Sequence, residues 1–323
     1  MLQRVKLSRA TPHGRPSRPA ALCRPSSSFC VRKALFCACS ANQSTTARPA
    51  VFPASYEQAV RQAQQSVQAA IADGCKLIEV EFPTAGLASV SGDGEGVNEM
   101  NASMRYLRAF LSAFKDSAAA VRIFWPDSQE LDVAVTGQTG DPGAGRMAMD
   151  PPFAGTAFKM GFLTKQNALW SAIGLNLVLG DKFSPVQQVS ESDQVFVVAY
   201  PHFNPREEYG AVAELHAKVA GPRQLPLIVF NGDLDRLRGG YYPALFFGEL
   251  ARLTQELVPL FTPAYYIHNF KGRTPGVLFR AYPGPWCVFR RGLKDPSQLQ
   301  LIWTSDAQPS LKQVATEILT APS

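Results

Sequence analysis

No aspartate or glutamate occurs among the first 56 residues, although nine lysines and arginines do (Arg4, Lys6, Arg9, Arg15, Arg18, Arg24, Arg32, Lys33 and Arg48). From Glu57 onward, 32 − 9 = 23 basic residues face all 26 acidic ones. The formal charge of +6 therefore belongs to the N-terminal tail. The remainder is slightly acidic, so charge gives no ground for nucleic acid as a partner. An acid-free, arginine- and serine-containing leader fits an organelle transit peptide. A secretory signal is excluded by the broken apolar start, where Lys6 and Arg9 interrupt Val5 and Leu7 and Pro12, Pro16, Pro19 and Pro25 follow. A basic nucleic-acid-binding arm is the competing reading, and composition does not separate chloroplast from mitochondrion. The small-residue stretch Phe36-Cys37-Ala38-Cys39-Ser40-Ala41 is the expected processing site. The division is thus a transit peptide at 1–41, a linker at 42–53 and one mixed α/β domain at 54–323.

Other absences narrow the chemistry. Four of the six cysteines (Cys23, Cys30, Cys37, Cys39) fall in the leader, leaving Cys75 and Cys287 with no CxxC spacing, so a cysteine zinc site is excluded for the body. No run approaches the 18 or so apolar residues of a membrane span. There is no HExxH, no GxSxG, no GxxxxGK[ST] and no kinase signature. Gly92-Asp93-Gly94-Glu95-Gly96 has the wrong spacing for a dinucleotide loop, and its two acids would repel a pyrophosphate. No catalytic residue, metal ligand or cofactor is expected.

What is present reads as alternating helices and strands. Ser55-Tyr56-Glu57-Gln58 has a capping-box arrangement ahead of Val60, Ala63, Val67, Ala70 and Ile71 at helical spacing, and Gly74 ends the segment. The segments 77–83, 121–125, 195–200 and 227–230 read as strands, the last two as continuous apolar runs, with helices among and after them, including one over 243–258. The stretch 127–194 reads as an elaborated crossover. After Pro263, four short strands separated by turn residues predict an antiparallel meander, and a last helix begins at Ser310. The expected fold is α/β: a mainly parallel sheet with helices on both faces, extended by that meander.

In such sheets ligands bind beyond the carboxyl ends of the strands. Asp127, His202, Asn204, Asp233 and Asp235 would lie along that edge and form the candidate ligand site. Asp233 and Asp235 could share a cation or a sugar hydroxyl, or else cap a turn and pair with Arg236 or Arg238. Tyr241, Tyr242, Phe246, Phe247, Tyr282 and Trp286 combine apolar bodies with polar tips and form the candidate interaction surface.

Three stretches carry a resemblance. They are Phe230-Asn231-Gly232-Asp233-Leu234-Asp235-Arg236 with Tyr241-Tyr242-Pro243, Tyr265-Tyr266-Ile267-His268-Asn269-Phe270-Lys271-Gly272, and Phe279-Arg280-Ala281-Tyr282-Pro283-Gly284-Pro285-Trp286. Together they resemble a plastid domain-of-unknown-function family that includes the low photosystem II accumulation assembly factor, third of that name. The resemblance implies a stromal chloroplast protein, peripheral to the thylakoid membrane, with photosystem II assembly proteins or subunits as partners and a part in assembling the photosystem II core. It brings no catalytic residue. A plastid enzyme, or a protein binding a nucleotide or sugar phosphate at the Asp-rich edge, is the rival reading.

Overall fold

The computed structural model describes residues 48–83, 87, 97–136, 153, 155–165, 183–242, 247–295 and 297–322. All of them fall in one compact unit, Ala38–Ser323. The expected transit peptide, the first half of its linker (42–47) and the glycine-rich loop at 92–96 lie outside the described residues.

The first helix forms where its cap directs. The Ser55 hydroxyl accepts the Gln58 N–H at 3.3 Å, and α1 (Tyr56–Ala72) buries Ala59, Ala63, Val67 and Ala70 on one stripe. Gly74, at φ 82, turns the chain into β1 (Leu77–Glu81). Helix α2 (Val97–Leu111) leads through a tighter helical turn to β2 (Val121–Asp127), α3 (Ser128–Thr136) and β3 (Lys159–Thr164). Then come β4 (Val195–Ala199), α4 (Pro205–Leu215), β5 (Leu227–Phe230), the short α5 (Leu234–Arg238) and α6 (Gly248–Glu256). The long helix expected over 243–258 is seen only as α6, because 243–246 lie outside the described residues. The meander β6 (Phe261–Phe270), β7 (Gly276–Ala281), β8 (Trp286–Arg291) and β9 (Leu299–Ser305) follows, then α7 (Leu311–Gln313), which widens into a π-helical turn over Val314–Ile318.

These strands make one nine-stranded sheet in the order β3-β2-β4-β5-β1-β6-β7-β8-β9. The six from β3 to β6 are parallel, and β6 to β9 are antiparallel. The fold is therefore the expected α/β sheet with an antiparallel extension. One element differs: the crossover at 127–194 contributes the edge strand β3. Its mixed pattern, Lys-Met-Gly-Phe-Leu-Thr, is half-buried along most of its length, as an edge position allows.

Alternation sends each strand's side chains to two cores. Ile78, Val80, Ile123, Val197, Ile228 and Phe230 meet α1, α2 and α3 on one face. Leu77, Phe196, Val198, Leu227 and Val229 meet α4, α5 and α6 on the other. On that second face the meander is covered by the C-terminal helix through Tyr266, Leu278, Trp286, Val288, Val314 and Leu319. At the amino ends of the strands, Asp193 accepts from Arg122 and Lys159, each at 2.7 Å. Burial works against that carboxylate, but the two cations and Ser190 hold its pKa down at about 2. This ion triad joins β2, β3 and the approach to β4.

Candidate functional site

The layering creates two crevices at the carboxyl ends of the strands. The chain leaves β1 toward α2 on one face and leaves neighbouring β5 toward α5 on the other. Likewise β2 leads to α3 and adjacent β4 to α4, on opposite faces. Such reversals are where open α/β sheets leave room for ligands.

Left-handed backbone marks both places. Tyr200 (φ 44) follows β4, and Asn231 (φ 49) and Asp233 (φ 51) follow β5. Non-glycine residues enter this region at an energetic cost, so neighbours must hold them there. Asn231 is held on all sides. Its side-chain oxygen accepts the Phe82 N–H at 2.8 Å, and its amide nitrogen donates to the Ser103 hydroxyl at 2.6 Å. Its own N–H donates to the Val80 carbonyl, and its carbonyl lies 3.1 Å from His202 Nδ1. Asn231 thus stitches β5 to β1 and α2 and contacts the loop after β4. Gly232 is required by close approach, since a Cβ there would fall 2.5 Å from both the Tyr209 hydroxyl and Val229.

At the β1–β5 crevice, Glu79 and Glu81 share the face of Leu77, opposite Ile78 and Val80. Both oxygens of Glu79, whose side chain is 1% exposed, are taken by the Arg238 guanidinium at 2.8 and 2.5 Å. Arg238 also reaches Asp235 at 3.3 Å, and Asp235 accepts from the Tyr266 hydroxyl. Burial opposes the charge on Arg238, but Glu79 and Asp235 outweigh it and raise its pKa. Burial raises Glu79 despite Arg238. Glu81 is pushed well above the usual carboxylate range by burial and by the charges of Glu79, Asp233 and Asp235, against one long bond from the Asp233 N–H. Asp233 pairs with Arg236 at 2.5 Å and stays partly exposed. His268, on β6, is depressed by burial against the opposing pull of Asp235 and Asp233.

At the β2–β4 crevice, Asp127 caps α3 by accepting the N–H groups of Gln129 and Glu130 at 2.8 and 2.9 Å. Asn204 is the N-cap residue of α4, yet its side chain makes no capping bond. Glu208 does that work from inside the helix, with its two oxygens accepting the Phe203 and Asn204 N–H groups at 3.2 and 2.8 Å. Burial, with the charges of Asp127 and Glu130, raises Glu208 to about 7.

The five residues expected at the ligand edge therefore divide. Asp127, His202 and Asn204 gather at β2–β4, and Asp233 and Asp235 at β1–β5, with the His202–Asn231 contact between the two groups. Glu79, Glu81 and Glu208 complete the site with Arg238 and Tyr266, and the three glutamates were not singled out from sequence. The signal for the first two was present, because Leu-Ile-Glu-Val-Glu places two carboxylates on one face of a strand that both cores cover. Among the described residues no cluster of three or more His, Cys, Asp or Glu has metal-binding geometry.

The aromatic candidates also divide. Tyr241 is 72% exposed and Phe247 41% exposed, with half-buried Tyr242 between them at ring distances of 5.1 and 5.4 Å. Phe246 lies outside the described residues. Tyr282 is half-buried and donates to Asp73 at 2.8 Å. Trp286 is fully buried, edge-on to Tyr266 at 5.1 Å with Arg280 over its ring at 5.4 Å, so it belongs to the core rather than to a surface. A separate cavity of about 520 Å³ opens at the β8–β9 turn, beside Arg290, Lys294 and Asp295.

No curated protein and no solved structure matches the chain. A family model does, over residues 53–316, which takes in every element from α1 to α7. The chain belongs to the family described as a domain of unknown function, DUF1995.

Proposed function

We propose that the chain is a chloroplast auxiliary factor that assists assembly of the photosystem II core by protein–protein interaction at the thylakoid surface. The observation that carries this reading is the aromatic cluster Tyr241–Tyr242–Phe247, which offers two exposed rings backed by a third that packs on the core. Large, rigid aromatic side chains anchored in this way are the usual energetic centres of protein interfaces. The acid-free leader suggests import into an organelle, and the family resemblance suggests that the organelle is a plastid. The peripheral contact with the thylakoid is what the resemblance implies, and no helix among the described residues is long and apolar enough to cross a membrane. The test is purification of the tagged full chain from isolated plastids, scored for the chlorophyll-binding inner antenna subunits of the photosystem II core. Enrichment of those subunits supports the reading, and their absence under gentle solubilisation refutes it.

The strained residues at the two crevices favour a second reading, a plastid enzyme or a protein that holds a nucleotide or sugar phosphate at this edge. Specific binding would stabilise the fold by about 3 kcal/mol at a hundredfold excess of ligand over Kd. A thermal-shift series with nucleotides and sugar phosphates, with and without Mg²⁺, separates the two readings.

A further inference from the structure

We propose that the Arg280 guanidinium, held against the rings of Tyr282 and Trp286, anchors a binding site for a carboxylate carried on an apolar body. Arg280 pairs with Tyr266 across β7 and β6, and β7 runs back toward the amino ends of the parallel strands. It shares the face of Leu278, where Tyr266 and Trp286 also pack. Its guanidinium carbon sits 5.8 Å from the Tyr282 ring centre and 5.4 Å from that of Trp286. Such contacts hold a cation through the ring faces and leave its N–H groups unspent.

Those N–H groups set this arginine apart. Three other arginines withdrawn from solvent spend theirs within the fold. Arg238 forks onto Glu79, Arg122 reaches Asp193 and the Met160 carbonyl, and Arg223 ties together the carbonyls of Ser190, Glu191 and Asp193. Arg280 makes one bond, from Nε to the Gly284 carbonyl at 3.4 Å, and among the described residues no carboxylate lies within ion-pair distance of it. Glu79 and Asp306 are near enough to be felt, but Glu79 is committed to Arg238. Burial lowers the Arg280 pKa against the pull of Tyr282, Cys75, Glu79 and Asp306. A cation so placed costs the fold free energy that a bound anion would offset. Arg280 is nevertheless only half-buried, so a ligand can reach it.

The same neighbours set the ligand's class. The planar fork matches a carboxylate through two parallel bonds. With Glu79 and Asp306 nearby, a monoanion is favoured over a phosphate dianion, whose second charge adds to the repulsion. The Tyr282 ring, steadied by its hydroxyl on Asp73, and the half-buried Pro285 offer apolar contact to the rest of the ligand. The site uses neither the exposed aromatic cluster nor the Asp-rich edge, so its test is independent of both readings above.

The test follows the Arg280 Nε–Hε signal of the full chain by NMR, assigned with Arg280→Lys. Two probes carry a free carboxylate, phenylacetate and the peptide N-acetyl-Ala-Ala-Phe; their amides and inorganic phosphate serve as controls. The signal should move saturably with at least one acid, and the controls should bind roughly ten- to a hundredfold more weakly. Tighter binding of the peptide assigns the site to the chain end of a protein partner, and tighter binding of phenylacetate assigns it to a free small acid. Arg280→Met should lose the acid-induced rise in Tm, while its own Tm falls by no more than about 3 °C because no ion pair is broken. An unmoved signal with both acids would overturn the proposal, as would phosphate or an amide binding as well as the acids. A Tm loss in Arg280→Met matching that of Arg238→Met would make the guanidinium a structural element and would overturn it too.

Discussion

Replacing Arg238 by methionine strips both oxygens of Glu79 of their partners while the carboxylate stays under α5. Glu79 is 1% exposed at its side chain, so water cannot take over. Breaking a buried pair from one side costs about 3–5 kcal/mol, far more than the ~1 kcal/mol ceiling of an exposed pair. For a domain of this size that corresponds to a fall in Tm of roughly 6–20 °C. The loss should depend on pH. Burial already raises the Glu79 pKa and Arg238 opposes it, so without the guanidinium burial and the Asp235 charge are opposed only by the smaller influence of Arg280. A carboxyl raised in the folded state leaves stability intact below its unfolded value and erodes it as pH climbs through the folded one. The deficit of Arg238→Met should therefore be small at pH 5 and full at pH 8, measured by urea unfolding at both. Adding Glu79→Gln should recover most of it at pH 8. A deficit below about 1 kcal/mol at pH 8, or one equal at both pH values, would refute the reasoning.

Other substitutions probe the same crevices. Gly232→Ala puts a Cβ 2.5 Å from both the Tyr209 hydroxyl and Val229, and should cost about 1–3 kcal/mol by urea midpoint. Tyr209→Phe in that background should soften the loss, a non-additivity expected of groups in contact. Asn231→Ala loses two side-chain bonds and must hold alanine at φ 49, for a loss of about 2–4 kcal/mol; Asn231→Gly should recover only the backbone share. Tyr241→Ser with Phe247→Ser removes two exposed rings and should change stability by no more than about 0.5 kcal/mol per site.

The sheet was legible because its central strands are apolar on both faces. Val195–Ala199 and Leu227–Phe230 need no partner information to read as buried. β3 was not, because at an edge its Lys159 and Thr164 are free to be polar. The candidate edge was visible through Asp233 and Asp235, which follow a strand directly. Glu79 and Glu81 were overlooked because the segment was read only as a strand, with no partner in view for the two carboxylates on its one face. A glutamate between apolar residues reads as solvent-facing until Arg238, 159 residues away, closes over it. Glu208 was concealed in a different way: acids in a first helical turn are ordinary, and only the fold brings Asp127 and Glu130 to face it. Trp286 misled because an amphipathic ring reads the same in an interface as beneath Arg280.

The central claim, that the exposed aromatic cluster serves photosystem II core assembly, is tested most directly by genetic replacement. Plastids lacking the protein would be supplied with either the full chain or its Tyr241→Ser/Phe247→Ser form, at matched abundance, and newly made core complexes followed by pulse labelling. The account predicts that the unaltered chain restores assembly and the doubly substituted chain does not. Equal restoration by both, or normal assembly with neither, would contradict it.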